Sequence, residues 1–94
     1  MWILQSSDSD TTFRLTPGAI KTVGRASRAD FVLDAALVSR LHCRITAGHD
    51  ALEVLDLAST NGTYVNDRRI KKATVSAGDR LRIGRIEMTV ERRS

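Results

Sequence analysis

Apolar residues in this chain recur at every second position, in short runs that turn residues close, and nowhere does an apolar stripe hold helical spacing for about ten residues. The clearest run is Arg80-Leu81-Arg82-Ile83, where Leu81 and Ile83 point one way and the arginines the other; Ile86, Met88 and Val90 repeat it beyond Gly84. A period of two is the period of a half-buried strand. The chain is therefore expected to be all-β.

Turn chemistry divides the rest. Trp2-Ile3-Leu4 opens a strand that ends in the polar cluster Ser6, Ser7, Asp8, Ser9 and Asp10, and Thr12 to Leu15 is its hairpin return. Pro17-Gly18 turns the chain into Ala19 to Val23, which ends at Gly24. Phe31-Val32-Leu33, Leu41 to Thr46 and Leu52 to Leu57 follow, with Cys43 and Ile45 on one face and Gly48-His49-Asp50 as a turn. Ala58 to Gly62 is a loop of small polar residues before Thr63-Tyr64-Val65, and Asn66-Asp67 is a hairpin turn into Arg68 to Lys71. About ten short strands at this spacing favour a sandwich of two antiparallel sheets with function on the loops at one end. No linker or repeat interrupts residues 1–94, so a single domain is expected.

Composition narrows the functions. Ninety-four residues hold one core and leave no room for a dinucleotide-binding domain or an α/β barrel. One cysteine cannot form an internal disulfide, and one thiol with two histidines lacks the spacing of a structural zinc site, so neither metal nor cofactor is expected. Met1-Trp2-Ile3-Leu4 is too short for a secretory signal and suggests a native start; the expected location is cytoplasmic, or nuclear in a eukaryote. The net charge of +4 favours an anionic partner: nucleic acid, acidic membrane or phosphorylated protein. Arg68, Arg69, Lys71, Lys72, Arg80 and Arg82 alternate with or flank core positions, as solvated strand faces do, and no stacking aromatics accompany them as in a nucleic-acid site.

Three loop segments carry more than turn chemistry. Gly24-Arg25 places a guanidinium after a glycine at a strand end, where the backbone can bend sharply. Ser39-Arg40-Leu41-His42 supplies a hydroxyl, a cation and an imidazole, and Ser59-Thr60-Asn61-Gly62-Thr63 supplies hydroxyls and a carboxamide beside a glycine able to take φ > 0. A phosphate dianion is held by such an inventory of guanidinium fork, hydroxyls, a second cation and loop amides. From chemistry alone the set is either an anion clamp with an adjoining peptide contact or a group of ordinary turns.

Gly24-Arg25, the Ser39-x-x-His42 spacing, Asp56-Leu57-x-Ser59-Thr60-Asn61-Gly62-Thr63 with Val65-Asn66, and Gly78-Asp79-Arg80-Leu81-x-Ile83-Gly84 together resemble the forkhead-associated (FHA) domain, in order and spacing, from about Ile20 to Val90. The resemblance implies a β-sandwich of about eleven short strands that binds extended phosphothreonine peptides through the loops at one end. It implies that Arg25 and Ser39 hold the phosphate, that Arg40 adds a second phosphate contact, and that Thr60 lines the phosphothreonine site. Asn61 would bond the peptide main chain, while Gly24, His42 and Gly62 shape the loops. Leu37, two residues before the serine, would favour an apolar third residue after the phosphothreonine.

The expected partner is thus a phosphothreonine-containing product of a Ser/Thr kinase, bound by a monomer, with no membrane and no specific nucleic acid. Ser39, His42 and Asp56 spell a hydrolase triad, but Ser39 and His42 share one turn segment and no G-x-S-x-G elbow is present, so catalysis is not expected. The competing reading is a phosphate-independent module that docks a folded partner through a sheet face.

Overall fold

The computed structural model describes residues 1–7 and 10–93; the Asp8-Ser9 part of the first polar cluster lies outside the described residues. Among the described residues every regular element is a strand: β1 (Trp2–Ser6), β2 (Thr12–Leu15), β3 (Ile20–Gly24), β4 (Phe31–Val32), β5 (Cys43–Ala47), β6 (Leu52–Asp56), β7 (Thr63–Val65), β8 (Arg68–Ile70), β9 (Lys72–Val75), β10 (Arg80–Ile83) and β11 (Ile86–Arg92). They form a six-stranded sheet in the order β2-β1-β11-β10-β7-β8 and a five-stranded sheet in the order β4-β3-β5-β6-β9. No helix among the described residues is long and apolar enough to cross a membrane.

The alternation places the core between the sheets. Leu81, Ile83, Met88 and Val90 from one sheet meet Val23, Cys43, Ile45, Leu52, Val54 and Val75 from the other, all buried. Trp2 is also buried and satisfies its indole N–H on the Gly48 carbonyl at 2.8 Å, so its area is gained without a stranded donor. At the open margin Phe13 of β2 stacks on Phe31 of β4 with ring centroids 4.3 Å apart, joining the edge strands of the two sheets.

Beyond one-residue shifts at strand ends, the following details differ from the sequence expectation. Lys72–Val75 forms a strand that Lys72-Ala73-Thr74-Val75 did not announce: the chain leaves β8 in one sheet and, across Lys71, enters β9 beside β6 in the other. Only one of its four residues is buried, so period-two patterning had little to show. The strand expected from Leu41 begins at Cys43, and His42 stays in the preceding loop. Leu33 falls outside β4, and β4 pairs parallel to β3 through Val23–Phe31 and Gly24–Val32, whereas every other strand pairing among the described residues is antiparallel.

The outer face of the six-stranded sheet carries the expected charge. Arg82 opposes both Glu87 and Tyr64 and lies over the Tyr64 ring at 4.2 Å, and Tyr64 in turn opposes Arg69. Asn66 and Asp67, at φ 48° and 69°, give the two left-handed central residues of a type I′ hairpin between β7 and β8.

Strand direction sets the poles of the molecule. The end of β3, the start of β5, the β6–β7 loop and the β10–β11 turn gather at one pole. At the other, Trp2 pairs with Arg92, the Met1 amino group donates to the Arg93 carbonyl at 2.7 Å and the Arg93 amide to the Met1 carbonyl at 2.8 Å.

Candidate functional site

The β3–β4, β4–β5 and β6–β7 loops meet in an open pocket of about 390 Å³ lined by Arg25, Ser39, Thr60, Asn61 and the Asp34–Val38 stretch. Arg25 reaches it because its amide donates to the Ser39 carbonyl at 2.9 Å and its Nε to the Val38 carbonyl at 3.1 Å. That use of Nε holds the guanidinium plane and leaves both terminal nitrogens without a protein partner among the described residues. They are the two parallel donors that a phosphate or carboxylate accepts.

Ser39 Oγ accepts the Thr60 amide at 3.1 Å, which ties the β4–β5 loop to the β6–β7 loop and leaves the hydroxyl proton for an acceptor outside. Asn61 Nδ2 donates to the Leu37 carbonyl at 3.2 Å and leaves its Oδ1 and second amide proton for a ligand. Leu37 itself is left-handed at φ 72° and 40% exposed, an uncommon conformation for a branched residue that presents its side chain outward at the pocket wall.

A network beneath these side chains fixes them. His42 is fully buried; its Nδ1 accepts the Ser39 amide at 3.0 Å, so the proton resides on Nε2, which donates to the Gly62 carbonyl at 2.8 Å. Ser59 donates its hydroxyl to Asp56 and accepts the Gly62 amide at 3.0 Å, and Thr63 donates to the same Asp56 oxygen at 2.7 Å. Burial pushes the Asp56 carboxyl up, but the Ser59 and Thr63 hydroxyls and the Ser59 amide outweigh it and leave the group below its ordinary value.

The glycines act for different reasons. At Gly24 the requirement is close approach rather than the sharp bend expected: a Cβ there would overlap the Arg40 carbonyl oxygen and lie 2.9 Å from the Leu41 Cα. Gly62 has φ +90° and lies under the Arg69 and Tyr64 side chains. Gly84, at φ +60°, presses the β10–β11 turn against the recognition loop, where a Cβ would lie 2.7 Å from the Leu37 carbonyl oxygen.

Of the residues singled out from sequence, Arg25, Leu37, Ser39, Thr60 and Asn61 come together in the pocket wall, with His42, Gly24 and Gly62 behind it. The Arg40 side chain is exposed and is not part of that wall, although its carbonyl accepts the Ala26 amide at 3.0 Å. Asp34, Ala35, Ala36 and Val38 line the pocket without having been singled out, because isolated small and acidic residues in a loop form no pattern. The triad letters do not assemble a relay: both imidazole nitrogens of His42 engage backbone groups, and Asp56 faces Ser59 and Thr63.

The family model of the FHA domain matches residues 21–84, which contain every one of these loop residues. The chain belongs to the FHA family. A structure solved in a structural and functional study of phosphothreonine-dependent FHA domain interactions superposes with a TM-score of 0.89 at 34% identity, covering 99% of this chain and 97% of that one. Among curated relatives, an ABC transporter ATP-binding/permease protein of Mycobacterium tuberculosis is 38% identical over 77 residues, 82% of this FHA chain and 9% of the transporter. The glycogen accumulation regulator GarA of the same species is 36% identical over 70 residues, 74% of this chain and 43% of GarA. This FHA chain spans less than half the length of either relative.

Proposed function

We propose that residues 1–94 act as a single FHA domain, a phosphothreonine-dependent binding module that recruits partners phosphorylated by Ser/Thr kinases. The observation that carries this reading is the convergence of the two uncommitted Arg25 nitrogens, the Ser39 hydroxyl and the Asn61 amide on one open pocket. The family membership and the likeness to a structure from phosphothreonine-dependent interactions support it.

Arg25 and Ser39 take the phosphate oxygens, Thr60 lines the phosphothreonine site, and Arg40 adds charge from outside the wall. Asn61 pairs with the peptide main chain, while Leu37 offers an apolar surface to the third residue beyond. The threonine γ-methyl adds about 0.8 kcal/mol by burial, so stronger discrimination against phosphoserine comes from orientation. With both His42 nitrogens engaged by backbone, the imidazole does not activate the Ser39 hydroxyl, and the module binds its ligand without cleaving it. A short peptide buries little area and loses chain entropy, which places the affinity near micromolar, about −8 kcal/mol.

The test is a titration of matched phosphothreonine, phosphoserine and unphosphorylated peptides against wild type and Arg25→Ala. Losing the partner of a desolvated charge costs about 2 to 5 kcal/mol, so the variant and the unphosphorylated peptide should both fall below detection. Retention of affinity within about twofold by Arg25→Ala would sink the reading in favour of phosphate-independent docking.

A further inference from the structure

The wall that presents Arg25 and Ser39 to a phosphate also presents a carboxylate, Asp34. Asp34 is the central residue of a three-residue turn closed by the Ala35 amide on the Leu33 carbonyl at 3.0 Å. The turn is anchored on one side by the Leu33 amide on the Gly24 carbonyl at 2.8 Å and on the other by the Val38 amide on the Ala35 carbonyl at 3.3 Å. Asp34 is exposed, and its side chain has neither a hydrogen bond nor an ion pair among the described residues. Arg25 is not its partner: that guanidinium donates from Nε to the Val38 carbonyl instead.

An unpaired carboxylate in a pocket built to hold a dianion lowers affinity for the phosphate unless a cation stands between them. Arg25, the one cation among the lining residues, is held on the Val38 carbonyl and turned to the phosphate, and Ala35, Ala36 and Leu37 leave an apolar strip beside Asp34 that suits the methylene stem of a long basic side chain. We propose that Asp34 is a specificity residue that selects a Lys or Arg in the ligand close to the phosphothreonine. The inference rests on the phosphothreonine reading of the same pocket and adds a second chemical requirement to it.

The sign of the effect separates it from the general field of the protein. A net charge of +4 favours acidic ligand residues at every position, so a local preference for a basic one has to come from a nearby carboxylate.

The experiment walks a single Lys or Glu through positions from four before to four after the phosphothreonine of an otherwise alanine-flanked peptide, with fluorescence anisotropy at low salt. At one position, or two neighbouring ones, Lys should bind about two- to fivefold more tightly than Glu, as for an exposed ion pair, and the gap should narrow in high salt. The Lys-to-Glu ratio at that position should fall to one or below in Asp34→Asn and further still in Asp34→Lys. A ratio that favours Glu throughout, or a Lys preference that survives Asp34→Asn, overturns the assignment while the alanine-flanked phosphopeptide still binds. If that reference phosphopeptide does not bind wild type at all, the phosphothreonine reading itself fails and the selectivity falls with it.

Discussion

The imidazole of His42 spans two recognition loops, its Nε2–H donating to the Gly62 carbonyl at 2.8 Å while Nδ1 accepts the Ser39 amide at 3.0 Å. Loss of the ring strands the Ser39 amide and leaves the Gly62 carbonyl only the long contact from the Gly84 amide at 3.5 Å. A stranded polar group costs about 1 to 3 kcal/mol and the weakened Gly62 bond adds about 1, so His42→Phe, which fills the space without the bonds, should lose about 2 to 4 kcal/mol of unfolding free energy in urea. Phosphopeptide affinity should fall with it, since Ser39 and Asn61 lose their fixed spacing. Nitrogen NMR of the wild type should report the Nε2–H tautomer, and an Nδ1–H signature would contradict the bonding described.

Gly24 and Gly18 separate crowding from backbone strain. A methyl at Gly24 collides with the main chain of Arg40 and Leu41, neither of which can rotate away, whereas Gly18 has φ +95° and open space around its would-be Cβ. Gly18→Ala should therefore cost about 1 to 2 kcal/mol from the left-handed conformation alone. Gly24→Ala should cost about 3 kcal/mol or more, as overpacking against backbone does, and should weaken ligand binding because Arg25 is the next residue. Equal urea midpoints for the two variants would refute this account.

Acid should loosen the β6–β7 loop through Asp56. Its folded carboxyl titrates below the ordinary value, so the stabilisation is present above the unfolded value of about 4 and is lost as pH falls through the lower folded value. Asp30 shifts the same way, chiefly through the Thr22 amide and hydroxyl, and contributes in the same window. Urea midpoints measured from neutral pH to about pH 2.5 should fall less steeply for Asp56→Asn than for wild type. Parallel profiles would remove Asp56 from the explanation.

Cys43 should be inert until the domain opens. Burial first, and the Asp56 charge second, push its thiol up to about 12, so almost no thiolate exists at neutral pH and no reagent reaches it in the folded state. Its labelling rate by a thiol reagent should track global unfolding and fall with every stabilising condition. Labelling in native buffer at the rate of a free thiol would show that the core between the sheets opens locally.

The features most legible in the sequence were those written in strict alternation or in motif order. Leu81, Ile83, Met88 and Val90 announced the inner face of β10 and β11, and the ordered loop residues are the ones that gather in the pocket wall. Lys72–Val75 was not legible because its partnership with β6 lies on a sheet edge, where only Val75 is buried. Asp34 was hidden for a different reason: a lone acid in a loop acquires meaning only when folding sets it in the same wall as Arg25. The role of Gly24 likewise depends on a partner segment sixteen residues away in the chain, which no local rule could supply.

Trp2 and Arg92 face each other at the pole opposite the recognition loops, and β11 runs from one pole to the other over seven residues, about 20 Å. A dye, a surface tether or a fused protein attached near either residue therefore leaves the pocket of Arg25, Ser39 and Asn61 unobstructed. Both attachments also leave from neighbouring points. A ligand seated in that pocket would thereby be held at a distance from anything joined near Trp2 or Arg92 that is set by a rigid strand rather than by a flexible connection.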